Sequence, residues 1–157
     1  MRFLGNIEAK MDAKGRAFLP STFRKVLAAS GEEGLVLRRD IFENCLVIYP
    51  RQIWNAEMDE MRARLSRWDR QQQMVFRKFV SGVTDLSMDG NGRILIPRTF
   101  LDAVGIGQQI RFVGMGDTIE IWPDDTAGGD EGTDDLFMSS EDFGEALQQL
   151  MGDKAGA

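Results

Sequence analysis

Short apolar runs separated by turn-forming clusters occupy the chain up to residue 50 and resume near residue 81. Ala17-Phe18-Leu19, Leu35–Arg38 and Leu46–Tyr49 read as strands in the first stretch. Ile94-Leu95-Ile96, Ile110–Val113 and Thr118–Trp122 read as strands in the second. Asp40–Asn44 and Gly114–Asp117 fall between consecutive strands as hairpin turns. In each stretch a proline, Pro20 or Pro97, opens a short helix with a buried stripe of Phe23, Val26 and Leu27, or Phe100, Leu101 and Val104. Between the stretches the period changes. Trp54, Met58, Met61, Leu65 and Trp68 alternate spacings of four and three, which predicts one apolar seam along a helix. Asp69 is placed to cap a second helix carrying Val75, Phe76, Phe79 and Val80. The seam is expected to pack on its own barrel, although two Trp and two Met on one narrow face also fit a subunit interface.

The two strand-rich stretches are copies. Met11-Asp12-Ala13-Lys14-Gly15-Arg16-Ala17-Phe18-Leu19-Pro20-Ser21-Thr22-Phe23 returns 77 positions later as Met88-Asp89-Gly90-Asn91-Gly92-Arg93-Ile94-Leu95-Ile96-Pro97-Arg98-Thr99-Phe100. Gly5 matches Gly82, and Leu46–Pro50 answers Ile119–Pro123. In each copy a short leading strand enters Asp-x-x-Gly-Arg, where Asp can accept backbone N–H bonds and Gly can take a positive φ. A unit of 40–50 residues buries too little apolar surface to fold alone. The expected fold is therefore α+β: two pseudo-symmetric βαββ halves interleaved into a small β-barrel. The first half covers residues 1–50, a helical insert 51–80 and the second half 81–123. Residues 124–157 form an acidic tail, read as mobile through Asp135, with a short amphipathic helix around Phe143, Ala146, Leu147 and Leu150.

Charge changes the picture only when divided along the chain. The net charge is −6, yet residues 1–123 hold 18 Lys and Arg against 15 Asp and Glu, a balance of +3, and the tail holds one against ten, −9. The acidity belongs to the tail, and local distribution decides which face meets a partner. The chain has no His, which removes the commonest general base and metal ligand, so no enzyme activity, catalytic residue, metal site or cofactor is expected. Cys45 lies in an apolar run and reads as a buried small hydrophobe. No run reaches the roughly 18 apolar residues that cross a bilayer, and the N-terminus lacks a signal-peptide core. A cytoplasmic protein without a membrane partner or a small-molecule substrate is expected.

Asp12-x-x-Gly15-Arg16 and Asp89-x-x-Gly92-Arg93 form the polar constellation that occurs twice. It can be read as a folding device, with Asp and Gly fixing the turn and Arg covering the strand. It can equally be read as an interface. Two turns project Arg16 with Lys14, and Arg93 with Asn91. The guanidinium fork matches phosphate oxygens or the O6/N7 edge of guanine, and Asn can address adenine or a phosphate. Arg2, Lys10, Arg24, Lys25 and Arg98 would add phosphate attraction. On this reading the partner is double-stranded DNA, and Asp12, Gly15, Asp89 and Gly92 fix the turns.

These paired Asp-x-x-x-Arg segments resemble the hallmark of the MraZ family, as do the Tyr49-Pro50 and Ile121-Trp122 strand ends and the intervening helical insert. Members of that family are duplicated relatives of AbrB-type swapped-hairpin DNA binders. The resemblance covers about residues 1–123. It implies AbrB-like halves and a nucleoid-associated transcriptional regulator of the division and cell-wall gene cluster, acting on its own promoter at short direct repeats. It further implies a homo-oligomeric ring, commonly an octamer, with Arg16 and Arg93 as DNA contacts and Asp12 and Asp89 holding the turns. Asn91 departs from a more basic or small residue. The competing reading is a protein-interaction or assembly module without DNA binding.

Overall fold

The computed structural model describes residues 1–32, 34–124 and 136–155. It divides into two units, Met1–Asp124 and Asp125–Ala157. In the first, β1 (Asn6–Lys10), β2 (Arg16–Phe18), α1 (Ser21–Ser30), β3 (Leu35–Arg39) and β4 (Leu46–Pro50) make the first half. Helices α2 (Arg51–Arg64) and α3 (Arg70–Ser81) follow. β5 (Val83–Met88), β6 (Arg93–Leu95), α4 (Arg98–Val104), β7 (Gln109–Gly114) and β8 (Ile119–Pro123) then repeat the first half's order. In the second unit α5 spans Ser140–Ala155. The interval to Asp135 read as mobile lies outside the described residues from 125 onward.

The eight strands form one antiparallel sheet in the order β1-β7-β8-β4-β3-β5-β6-β2, nearly closed into a barrel. Its edge strands β1 and β2 are consecutive and joined by a turn in which Asp12 N–H donates to the Arg16 carbonyl at 2.9 Å. The halves interleave: β1 pairs with β7, β3 with β5, β4 with β8 and β2 with β6. Neither half therefore owns a complete set of ladder partners, in keeping with the small size of each. This is the duplicated α+β barrel that the repeat predicts.

The barrel interior holds Phe3, Leu19, Leu37, Leu46, Ile48, Ile94, Ile96, Ile110, Phe112, Ile119 and Ile121, all at most 1% exposed. Strand period two explains why β3 reads as an unbroken apolar run. Leu35 and Leu37 enter this core, whereas Val36 faces outward onto Trp54 and Phe79 of the insert. Arg38, 7% exposed, lies on that outer face as well. It donates to the Phe79 and Arg39 carbonyls at 3.1 and 3.2 Å, with its guanidinium carbon 4.9 Å from the Phe79 ring centre and 5.6 Å from that of Trp54. A cation is tolerated there because carbonyls and ring faces replace its water.

The continuous seam needs one correction. Trp54 is buried and Met58 and Met61 pack with it, so the upper seam does cover its own barrel. The helix, however, stops at Arg64, Leu65 is extended (φ −106°, ψ 139°), and Trp68 is 97% exposed in the turn before α3. The spacing rule assumed one helix through a break that the backbone makes. Asp69 caps α3, accepting from Gln72 N–H at 3.0 Å. Cys45 is fully buried, and burial beside Glu120, Asp40 and Glu43 pushes its thiol up.

Candidate nucleic-acid interface

Each Asp-x-x-Gly-Arg turn is built by its aspartate. Asp12 Oδ1 accepts from the N–H groups of Lys14 and Arg16, both at 2.9 Å, and Oδ2 accepts from Arg16 Nε at 2.8 Å. Asp89 repeats this with Asn91 N–H, Arg93 N–H and Arg93 Nε at 2.9, 2.9 and 2.8 Å. Donation from the arginine's backbone N–H is the main cause holding both carboxyls below their ordinary value, with the side-chain bond adding to it. Gly15 and Gly92 sit at φ +85° and +86°, a region open to glycine. Their carbonyls stitch the halves together: Gly15 accepts from Ile96 N–H at 2.9 Å and Gly92 from Leu19 N–H at 3.0 Å.

β2 and β6 run antiparallel between the turns, with Arg16 opposite Leu95, Ala17 opposite Ile94 and Phe18 opposite Arg93. Ala17 and Ile94 point into the core. Period two then places Arg16, Phe18, Arg93 and Leu95 together on the outward face. The two arginines are diagonal neighbours, roughly 7–8 Å apart at the backbone. Their side chains are 33% and 28% exposed. Each Nε is held by its own aspartate, and among the described residues nothing hydrogen-bonds the terminal nitrogens of either fork. The aspartates thus aim the guanidinium groups without consuming them.

Sequence reasoning missed two features of this ribbon. Phe18 and Leu95 belong to triplets read only as apolar strands, with no face assigned to either residue, and they are 57% and 49% exposed. The small Ala17 on the same strand was the available sign, since it takes the inward place opposite Ile94. Arg24, expected as a general phosphate attractor, reaches the other half's turn. Its Nε donates to the Leu19 carbonyl at 2.9 Å, and its Cδ and Nη1 come within 2.7 Å of where a methyl on Gly92 would stand. The corresponding position beside Gly15 is occupied by Leu101, at 3.4 Å. Lys14 therefore adds a cation to the first turn, and Arg24 adds one to the second, where Asn91 is neutral.

Lys14 and Asn91 are exposed in the turns, Lys10 is exposed at the last position of β1, and Arg98 is exposed at the first position of α4. Arg2 is placed elsewhere: neighbouring Phe3 bridges to Gly116, beyond the end of β1 opposite the Asp12 turn, and Arg2 itself donates to the Met1 carbonyl.

Fold and site together define a duplicated swapped-hairpin barrel that presents two aspartate-oriented arginines on one two-stranded ribbon. The family described as "MraZ protein, putative antitoxin-like" matches residues 2–78 and again 79–126, and the chain belongs to this MraZ family. Proteins named Transcriptional regulator MraZ from Phocaeicola vulgatus and Bacteroides thetaiotaomicron are 51% and 48% identical to it over 152 and 154 residues. These alignments cover 97% and 98% of this chain and 95% of each relative. One of the same name from Thioalkalivibrio sulfidiphilus is 34% identical over 124 residues, 79% of this chain and 81% of its own. The two closer alignments extend past residue 123, further than the motifs alone carry the resemblance.

Proposed function

We propose that this protein is a DNA-binding transcriptional regulator that meets the duplex with the β2–β6 ribbon. The observation that carries the reading is the pair of outward guanidinium groups, each fixed by a carboxylate and each with its terminal nitrogens uncommitted. Such forks suit phosphate oxygens or guanine edges, and a two-stranded ribbon fits the major groove. Lys14 and Arg24 flank the arginines, with Asn91, Lys10 and Arg98 as further contacts. Arg2 would act only at long range. Asp12, Gly15, Asp89 and Gly92 fix the turns, and no cofactor takes part. The relatives' names support regulation of transcription. The finer reading is a cytoplasmic, nucleoid-associated protein acting on promoter repeats of the division and cell-wall cluster as a homo-oligomeric ring, with an octamer as the expected size.

Oligomerisation is supported by an open groove of about 730 Å³ between the β3–β4 hairpin and α3, whose lining includes Ile41, Met61, Met74, Val75 and Phe79. Ile41 is 60% exposed, and Phe42 beside it 89%. Apolar exposure of this kind marks a contact surface. The functional test is titration of a labelled duplex from upstream of the protein's own reading frame at two salt concentrations, with particle mass measured in parallel. Binding that falls steeply with salt, by a particle larger than one chain, is expected. Absent binding at low salt would overturn the reading.

A further inference from the structure

The ribbon face carries two apolar side chains as well as two arginines. Arg16 faces Leu95 across the ladder and Arg93 faces Phe18, an arrangement with a pseudo-two-fold axis through the Ala17–Ile94 pair. The Arg93 guanidinium carbon lies 5.9 Å from the Phe18 ring centre. Among the described residues nothing covers Phe18 or Leu95 beyond the partial contacts that leave about half of each in water. A surface that bound phosphates alone would gain nothing from them. The base edges in a major groove offer two kinds of partner: polar edges, which Arg recognises, and the 5-methyl group of thymine, the apolar feature there.

Resting on the DNA-binding reading above, we propose that Phe18 and Leu95 are specificity-determining residues that contact thymine 5-methyl groups while Arg16 and Arg93 contact phosphate or guanine. Charge complementarity brings the cationic ribbon to the duplex and selects DNA as the occupant of this apolar face. The pseudo-two-fold places one arginine and one apolar contact at each end of the ribbon. The sites so read should pair thymine with guanine-bearing or backbone contacts at two symmetry-related places.

The test uses the full-length protein and the same upstream duplex in two forms, one with thymine and one with every thymine replaced by uracil, which pairs identically and lacks the methyl. The wild type should bind the uracil duplex more weakly, by about fourfold for each contacted methyl. Phe18→Ala and Leu95→Ala should each bind the thymine duplex more weakly, and the double variant should no longer distinguish the two duplexes. Leu95 has no π face to hold a guanidinium, so Leu95→Ala separates methyl contact from positioning of Arg93. Equal wild-type affinity for the two duplexes would overturn the inference and leave DNA binding standing. So would equal weakening of both duplexes by each variant, or a change of particle mass with thymine preference intact. Failure of the wild type to bind either duplex would overturn the inference together with the functional reading beneath it.

Discussion

Gly15 and Gly92 occupy matching places in the repeat, yet a methyl added to each would meet different things. Both have φ near +85°, so an alanine at either site costs about 1–2 kcal/mol for the left-handed backbone. At Gly15 the new carbon would also stand 2.7 Å from the carbonyl oxygen of Ile96, the residue whose N–H donates to the Gly15 carbonyl. Relieving that clash strains the inter-half bond, worth about 1 kcal/mol more. At Gly92 the clash is with the Arg24 side chain, which can swing away. Gly90 is the internal control: nothing lies within 4 Å of its added carbon, its φ is not positive, and Ala13 already fills the matching place. Thermal unfolding should therefore rank the variants. Gly15→Ala should lose about 2–3 kcal/mol, near 10 °C in Tm for a unit of this size, Gly92→Ala about half that, and Gly90→Ala within about 0.5 kcal/mol of wild type. Gly92→Ala should also weaken DNA binding beyond its stability loss, because Arg24 leaves the second turn. A Gly92→Ala variant that melts below Gly15→Ala, or a Gly15→Ala variant that melts with the wild type, would contradict these contacts.

Other outcomes follow from the same contacts. The Asp12 and Asp89 carboxyls are held below their ordinary value of 3.8, so the stability they contribute is present above that pH and is lost as pH falls through the lower folded values. Melting curves of the wild type and of Asp12→Ala/Asp89→Ala should differ at pH 6 and draw together as pH falls below 3.8; a constant gap would contradict the assignment. Trp54→Ala removes the ring stacked on Phe79 at 5.0 Å and should cost about 3–5 kcal/mol in urea denaturation. Met74→Glu places a charge in the exposed apolar groove. It should lower the particle mass in light scattering without lowering Tm by more than about 2 °C, and an unchanged mass would exclude that groove as the contact surface.

Much of this fold was legible because it is written twice. Recurrence of Met, Asp, Gly, Arg, Pro, Thr and Phe at one offset located the strands, the turns and the short helices. What stayed hidden depended on tertiary placement. Trp68 continues a helical spacing, yet the backbone turns extended at Leu65; the Asp69 cap marks where the second helix starts but not where the first one stops. Phe18 belongs to an apolar triplet whose middle member alone faces out, a distinction set by the pairing of Ala17 with Ile94. Arg24 and Leu101 are equivalent in the repeat. That one serves as a cation beside the opposite turn and the other as core emerges only from the interleaving of the halves. For the turns, the alternatives of folding device and interface prove compatible: the aspartate builds the turn and, through the arginine's Nε, aims the fork.

The central claim is that these forks, rather than the fold they decorate, meet DNA. The most direct measurement compares wild type with Arg16→Ala/Arg93→Ala on the upstream duplex at fixed salt, with melting temperature recorded on the same samples. If each fork contacts the duplex at about 1–3 kcal/mol, affinity should fall by at least about thirtyfold, while the partly exposed Arg–Asp pairs leave Tm nearly unchanged. A double variant that binds as tightly as wild type, or that loses binding only because it unfolds, would contradict the account.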